Sequence, residues 1–177
     1  MRLEEGAKAI AIELPSIDGR IVKTEELLGK SYLLSFYRFA TCPFCNLRIH
    51  EMTRRIDELG KDFQVIAIFE SPISHLKQHM EGHHASFPIL SDPKNKYYKK
   101  YGIEHSVVGM LKGMFFRMPT LIRGMLKGHF PYVIKGSIIK MPADFLIGKD
   151  GLIKRAYYAS DEGDHLSFEE IKAFSLE

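Results

Sequence analysis

The 177-residue chain has only two cysteines, no apolar run of the ~18 residues a membrane-spanning helix needs, and no acidic residue at all between His105 and Pro142. Each shortage excludes something. Two cysteines three positions apart, Cys42 and Cys45, cannot staple a fold, because the loop they close is too short to restrict the unfolded chain much. The lack of a long apolar run argues against a membrane span. The opening Met-Arg-Leu-Glu-Glu-Gly-Ala-Lys has neither the apolar stretch nor the cleavage site of a signal peptide, so a reducing, cytoplasmic location is expected. The acid-free stretch carries Lys112, Arg117, Arg123, Lys127, Lys135 and Lys140. Removing these six from the 25 basic residues leaves 19 against 22 acidic ones, so the net charge of +3 belongs to this one segment. Repeats and low-complexity tracts are absent too. A chain of this length with 45% hydrophobic residues can bury a substantial core as one domain.

What is present centres on residues 38–48, Arg-Phe-Ala-Thr-Cys-Pro-Phe-Cys-Asn-Leu-Arg. The run Ser31–Tyr37 before it is rich in aromatic and aliphatic residues, as a buried strand should be. Pro43 suits a first helical position, where its missing N–H costs nothing. Cys42 then falls at a helix N-cap, where the unpaired N–H groups and the helix dipole favour a thiolate, the reactive form of cysteine. Cys42 is the expected nucleophile and Cys45 the resolving thiol. Arg38 is the candidate modulator of the Cys42 thiolate, since a nearby cation favours the charged form.

Along the chain, Ala9–Leu14 and Arg20–Lys23 read as an N-terminal hairpin, and Thr24–Gly29 as a capped single helical turn ended by glycine. The spacing of Ile49, Met52, Ile56 and Leu59 predicts a helix from Pro43 to Leu59. Phe63–Phe69 reads as a second buried strand. A helix follows from Pro72 to about Glu81, then the Phe87–Leu90 strand and a short helix ending at Tyr101-Gly102. Asp144–Tyr158 reads as a β-hairpin turning at Asp150-Gly151, and Ser167-Phe-Glu-Glu opens a terminal helix with capping-box spacing.

This order of strands and helices gives the α/β plan of a thioredoxin-like fold: a central mixed sheet flanked by helices, with an N-terminal hairpin and a helical insertion before the last hairpin. Cys42-Pro-Phe-Cys45 after its strand, Phe87-Pro-Ile-Leu-Ser-Asp-Pro93 and Met141-Pro142-Ala-Asp-Phe-Leu-Ile147 together resemble the peroxiredoxin-like branch of the alkyl hydroperoxide reductase/thiol-specific antioxidant family. The resemblance covers residues 1–177 as one domain except for 104–136, an inserted basic, methionine-rich helical segment.

The resemblance implies that Pro142 fills the place of the cis-proline that faces Cys-x-x-Cys and receives an extended substrate backbone. It also exposes departures. The proline and threonine that family peroxidases carry seven and three residues before the nucleophile are Ser35 and Phe39 here, counted from Cys42, or Arg38 and Cys42, counted from Cys45. Pro142 stands where their later arginine is expected. Thr41 replaces the tryptophan usual in thioredoxins, and Phe36 lies where their buried acid would be. Thr41, Arg38 and the helix N–H groups are the candidates to bind an oxidant instead.

The expected activity is thiol–disulfide exchange on protein or small-molecule disulfides, with an external thioredoxin- or glutathione-type reductant and no cofactor or metal. Hydroperoxide reduction is the alternative within the class. A non-catalytic redox-sensing or zinc-holding binding module is the alternative outside it. His75, His79 and His83 are spaced along one helix face, read here as polar and solvated rather than metal-binding. In residues 106–128, Met110, Met114, Met118, Leu121, Ile122 and Met125 follow helical spacing, and Pro119 should divide the segment into two helices. Its apolar face is expected to pack on the domain or on a second subunit; contact with an anionic membrane surface is the other reading, and nucleic acid is not expected.

Overall fold

The computed structural model describes residues 1–106, 111, 115, 117–128 and 137–177. Strands β1 (Glu13–Pro15) and β2 (Ile21–Lys23) form a small antiparallel hairpin with Leu14 opposite Val22. The main sheet has β3 (Tyr32–Phe36) at its centre, parallel to β4 (Gln64–Phe69) and antiparallel to β6 (Ala143–Ile147). β5 (Ile89–Ser91) and β7 (Ile153–Tyr158) form the edges, giving the order β5-β4-β3-β6-β7.

β3 is buried along its whole length because both sheet faces are covered, which explains its continuous apolar run. On one face Leu33, Val65, Ala67 and Leu146 pack against helices α1 (Pro43–Arg55), α2 (Ile73–Met80) and α5 (Phe168–Ser175). On the other, Leu34, Phe36, Ile68 and Phe145 meet Tyr97 and Tyr98 of α3 (Lys96–Lys100), with Tyr101 just beyond it. Phe36 makes edge contacts with Tyr98 and Phe145 at 5.0 and 5.9 Å between ring centroids. The position of the thioredoxin acid is thus part of an aromatic core.

The expected α/β plan holds, with local corrections. The first helix ends at Arg55 and tightens into a 3₁₀ turn, Ile56–Glu58, before Leu59 returns to the core. The Thr24–Leu27 turn has no side-chain cap; the Thr24 hydroxyl instead accepts from the Ile12 N–H at 2.9 Å, tying the turn to the N-terminal segment. The histidine face is solvated only in part. His75 is buried beside Leu76 and Met80 and meets His79 edge-on at 4.6 Å, because this side of α2 packs inward. Ser167 caps α5 as expected, accepting from Glu170 N–H at 3.2 Å.

Within the basic segment, helix α4 (Met118–Leu126) carries Pro119 in its first turn, where a proline needs no N–H partner. Leu121 packs against the core, and Gly124 is buried beside Pro43 and Leu47 of α1. Met118, Ile122 and Leu126 remain exposed, so only one flank of the helix is covered. Met110, Met114, Lys112 and Lys135 lie outside the described residues. Among the described residues no helix is long and apolar enough to cross a membrane.

Candidate active site

The chain leaves β3 through Tyr37–Thr41 and enters α1 with Cys42 at the N-cap, in extended conformation, and Pro43 in the first turn. Three backbone contacts hold this loop. Tyr37 N–H donates to Ile68 O at 2.7 Å, Glu70 N–H to Arg38 O at 2.9 Å, and Ala40 N–H to the Ser71 hydroxyl at 3.0 Å. Asn46 locks it from the helix side, its amide donating to Ala40 O at 2.7 Å and Cys42 O at 2.9 Å, while its Oδ1 lies 2.8 Å from His83 Nε2. The loop that carries Cys42 is therefore fixed before any substrate arrives.

Both cysteines are free thiols and wholly buried. Burial alone would disfavour the Cys42 thiolate, yet opposing contacts win. The Cys45 thiol, the Arg38 charge and the N–H groups of Cys45 and Phe44 bring its pKa down to about 6. The Cys45 N–H lies 3.5 Å from Cys42 Sγ, and Arg38 Nη1 lies 3.8 Å from it. Burial and the adjacent Cys42 push the Cys45 thiol well above its ordinary range. The two sulfurs thus divide their roles electrostatically, one charged and one protonated.

Arg38 is only 5% exposed, held by Ile138 O and stacked 5.3 Å over the Phe39 ring. Among the described residues its Nε has no hydrogen-bond partner, and neither does Oε2 of Glu162, a buried acid whose pKa is raised by burial and lowered in part by the Arg38 charge. Glu162 lies 120 positions from Cys42, so nothing local in the sequence points to it; the chain returns to the site only after β7. Asn46 had a readable signal: it follows Cys45 directly and sits four residues after Cys42, in reach of the N-cap carbonyl.

Thr41 and Pro142 are buried, and the bond before Pro142 is trans rather than the expected cis: no peptide bond among the described residues is cis. Pro142 leads straight into β6, with its carbonyl accepting from Ala159 N–H at 3.1 Å, and extended backbone accommodates the trans form that X–Pro bonds prefer. Beneath the loop, Lys140 pairs with Glu70 at 3.0 Å, also touching Asn95, and so joins the end of β4 to the approach to β6. Asp144, opposite Ser35 in the β3–β6 register, is another buried carboxylate. It accepts from Ser35 Oγ and from Leu166 N–H at 2.8 Å and lies 3.0 Å from His165 Nδ1. Burial opposes its charge, but His165, Arg48 and Ser35 hold its carboxyl below the usual range.

A mixed sheet with a thiolate-stabilising N-cap and a second cysteine one turn into the helix defines a thioredoxin-like dithiol protein. Solved structures agree on the fold. The peroxidoxin BcpB of Mycobacterium tuberculosis superposes with a TM-score of 0.69 at 15% identity, covering 98% of this chain and 96% of that one. A Chlorobium tepidum structure titled as a putative thiol:disulfide interchange protein DsbE gives 0.58 at 19% identity, covering 88% and 85%. The model of the AhpC/TSA family matches residues 6–156, and the chain belongs to that family. Among curated relatives, an M. tuberculosis protein named "Putative peroxiredoxin" is 30% identical over 106 residues, covering 57% of this chain; these residues span 65% of that relative, just under two thirds of its length. A Buchnera aphidicola protein carrying the same designation is 27% identical over 114 residues, covering 64% of this chain and 72% of the relative.

Proposed function

We propose that this protein is a thiol-dependent oxidoreductase in which Cys42 is the nucleophile and Cys45 the resolving thiol. The observation that carries the reading is the division of charge between two adjacent buried sulfurs. In disulfide exchange, Cys42 Sγ⁻ attacks one sulfur of RS–SR′, forming Cys42–S–SR and releasing R′S⁻, which takes a proton from solvent. Cys45 then gives up its proton and attacks Cys42 Sγ, releasing RS⁻ and leaving a Cys42–Cys45 disulfide. A thioredoxin- or glutathione-type thiol returns it to the dithiol. Arg38 stabilises the attacking sulfur and, with Thr41, flanks the entering group; Pro142 borders the site. The chain acts as one domain, with residues 104–136 inserted and the exposed flank of α4 available for contact with a second copy or an anionic surface.

The test is trapping. Cys45→Ser should accumulate long-lived mixed disulfides on Cys42 that Cys42→Ser cannot form. Equal capture by both variants would dismiss the exchange mechanism.

A second reading, hydroperoxide reduction, is favoured by the complete burial of Cys42, which suits a small oxidant, and by family membership. Cys42 Sγ⁻ would attack the terminal oxygen of ROOH, break the O–O bond and release ROH after protonation. Cys45 would then convert the sulfenic acid to the disulfide with loss of water. The peroxide site must present donors to both oxygens, and Phe39 and Pro142 donate none. The second-order rate of Cys42 oxidation by peroxide, compared with free cysteine at equal thiolate fraction, decides between the two. An excess of several orders of magnitude makes the protein a peroxidase.

A further inference from the structure

Helices α1 and α4, in contact at Gly124 and Pro43, line together with residues 163–169 a cavity of about 700 Å³ that the dithiol chemistry does not use. Its apolar wall includes Phe44, Leu47, Leu166 and Phe168. Its charge is unbalanced in a specific way. Three lining arginines are matched by carboxylates: Arg48 with Glu51 at 2.8 Å, Arg55 with Glu169 at 2.7 Å, and Arg117 with Asp161 at 2.6 Å and Asp164 at 3.8 Å. These pairings use every acidic group that lines the cavity. Three further lining cations, Arg54 on α1 and Arg123 and Lys127 at the end of α4, belong to none of the ion pairs among the described residues.

Arg54 is four residues from His50 on α1, and Lys127, just past α4, is four from Arg123, so each pair is one helical turn apart and all four side chains line the cavity. All three cations are exposed, so water screens their mutual repulsion, and a polyanion entering the cleft would meet three charges that no carboxylate among the described residues neutralises. His50 registers the field: its pKa is lowered, first by partial burial and then by Lys127 and Arg54, with the His83 ring 6.4 Å away.

We propose that the α1–α4 cleft binds a small phosphate-class polyanion whose organic body lies on the apolar wall. Two guanidinium forks and an ammonium match a phosphoryl group or a pair of them better than a single carboxylate, which would neutralise only one of the three cations. A volume of this size lies in the range of small-molecule sites. The inference is independent of the chemistry at Cys42.

The test titrates the full chain with pyrophosphate and separately with adenosine diphosphate, at constant ionic strength, following the His50 ring resonance by NMR. The resonance is assigned by its loss in His50→Gln. Saturable shifts are expected, with the His50 pKa rising by about half a unit or more at saturation. Arg123→Glu/Lys127→Glu should bind at least about tenfold more weakly, and so should Arg54→Gln on the opposite wall, whereas the charge-matched Lys8→Glu/Lys30→Glu should bind as the parent. Adenosine diphosphate should bind more tightly than pyrophosphate. No saturable shift up to about 10 mM, or equal weakening in all the charge variants, overturns the site. Equal affinity for the two probes overturns the apolar half of it. Two independent walls keep the outcome interpretable if one variant unfolds.

Discussion

At the scale of single residues, the site is a contest between burial and charge. A wholly buried thiol should resist ionisation, yet the contacts to Cys42 bring its pKa down to about 6, which favours the thiolate at neutral pH. Iodoacetamide labelling of the reduced protein should therefore modify Cys42 before Cys45, with a rate midpoint near pH 6. Arg38→Met should move that midpoint up by about one unit, since a buried cation 3.8 Å from the sulfur is lost. Preferential labelling of Cys45 would reverse the assigned roles. A second residue-scale expectation concerns Asp144. Its carboxylate satisfies Ser35, His165 and the Leu166 N–H away from water, so Asp144→Asn should cost about 3 kcal/mol in urea unfolding at pH 7. The sign with pH follows from its lowered pKa. Its contribution is complete above the ordinary Asp range and disappears as pH falls through the folded-state value, so the variant's deficit should shrink in acid.

At the scale of elements, what could be read in the sequence was whatever is local. Strand β3, the cysteine N-cap and Pro43 form one continuous stretch whose residues each favour the same structure. The β6–β7 hairpin likewise announces itself at Asp150-Gly151. What was not legible depends on pairing between distant elements. The β3–β6 register sets Ser35 against Asp144, and the return of the chain after β7 brings Glu162 towards Arg38. Polar spacing suggested an outward face for His75, but the packing of α2 turned it inward. The proline before β6 was placed correctly in order, yet extended pairing left it trans. The α1–α4 contact is another such long-range feature, and it rests on a glycine. A Cβ at Gly124 would come 2.8 Å from Pro43 Cβ, which sits on a rigid ring and cannot swing aside. Alanine gains about 1 kcal/mol of helix propensity there, but overpacking typically costs ~1–3 kcal/mol. The clash should win. Gly124→Ala should lower hydrogen-exchange protection of the α4 amides by about tenfold while leaving the central strands unchanged; unchanged α4 protection would mean the contact contributes little.

At the scale of the whole molecule, the dithiol couples redox state to stability. A Cys42–Cys45 bridge closes so short a loop that it contributes about 2 kcal/mol through the unfolded state, and that contribution does not depend on pH. The reduced protein instead gains from holding a thiolate more favourably than the unfolded chain does. Its folded-state pKa, about 6, lies below the ordinary cysteine value of ~8.5. The gain is therefore lost as pH falls through 6, grows from there, and is complete above ~8.5. Between pH 6 and pH 8 it should rise by about 2 kcal/mol, or about 4–8 °C in Tm for a chain of this length. The difference between reduced and oxidised Tm cancels every group that titrates alike in both forms, Asp144 included. That difference, measured by calorimetry across this window, should shift steadily in favour of the reduced protein. Up to pH ~8.5 the same linkage makes the disulfide progressively more oxidising as pH rises relative to an unperturbed dithiol, because stabilising the reduced form raises the potential; above that the raised Cys45 thiol acts in the opposite direction. A pH-independent difference would show that folding does not stabilise the Cys42 thiolate, and the charge division on which the proposed chemistry rests would fall with it.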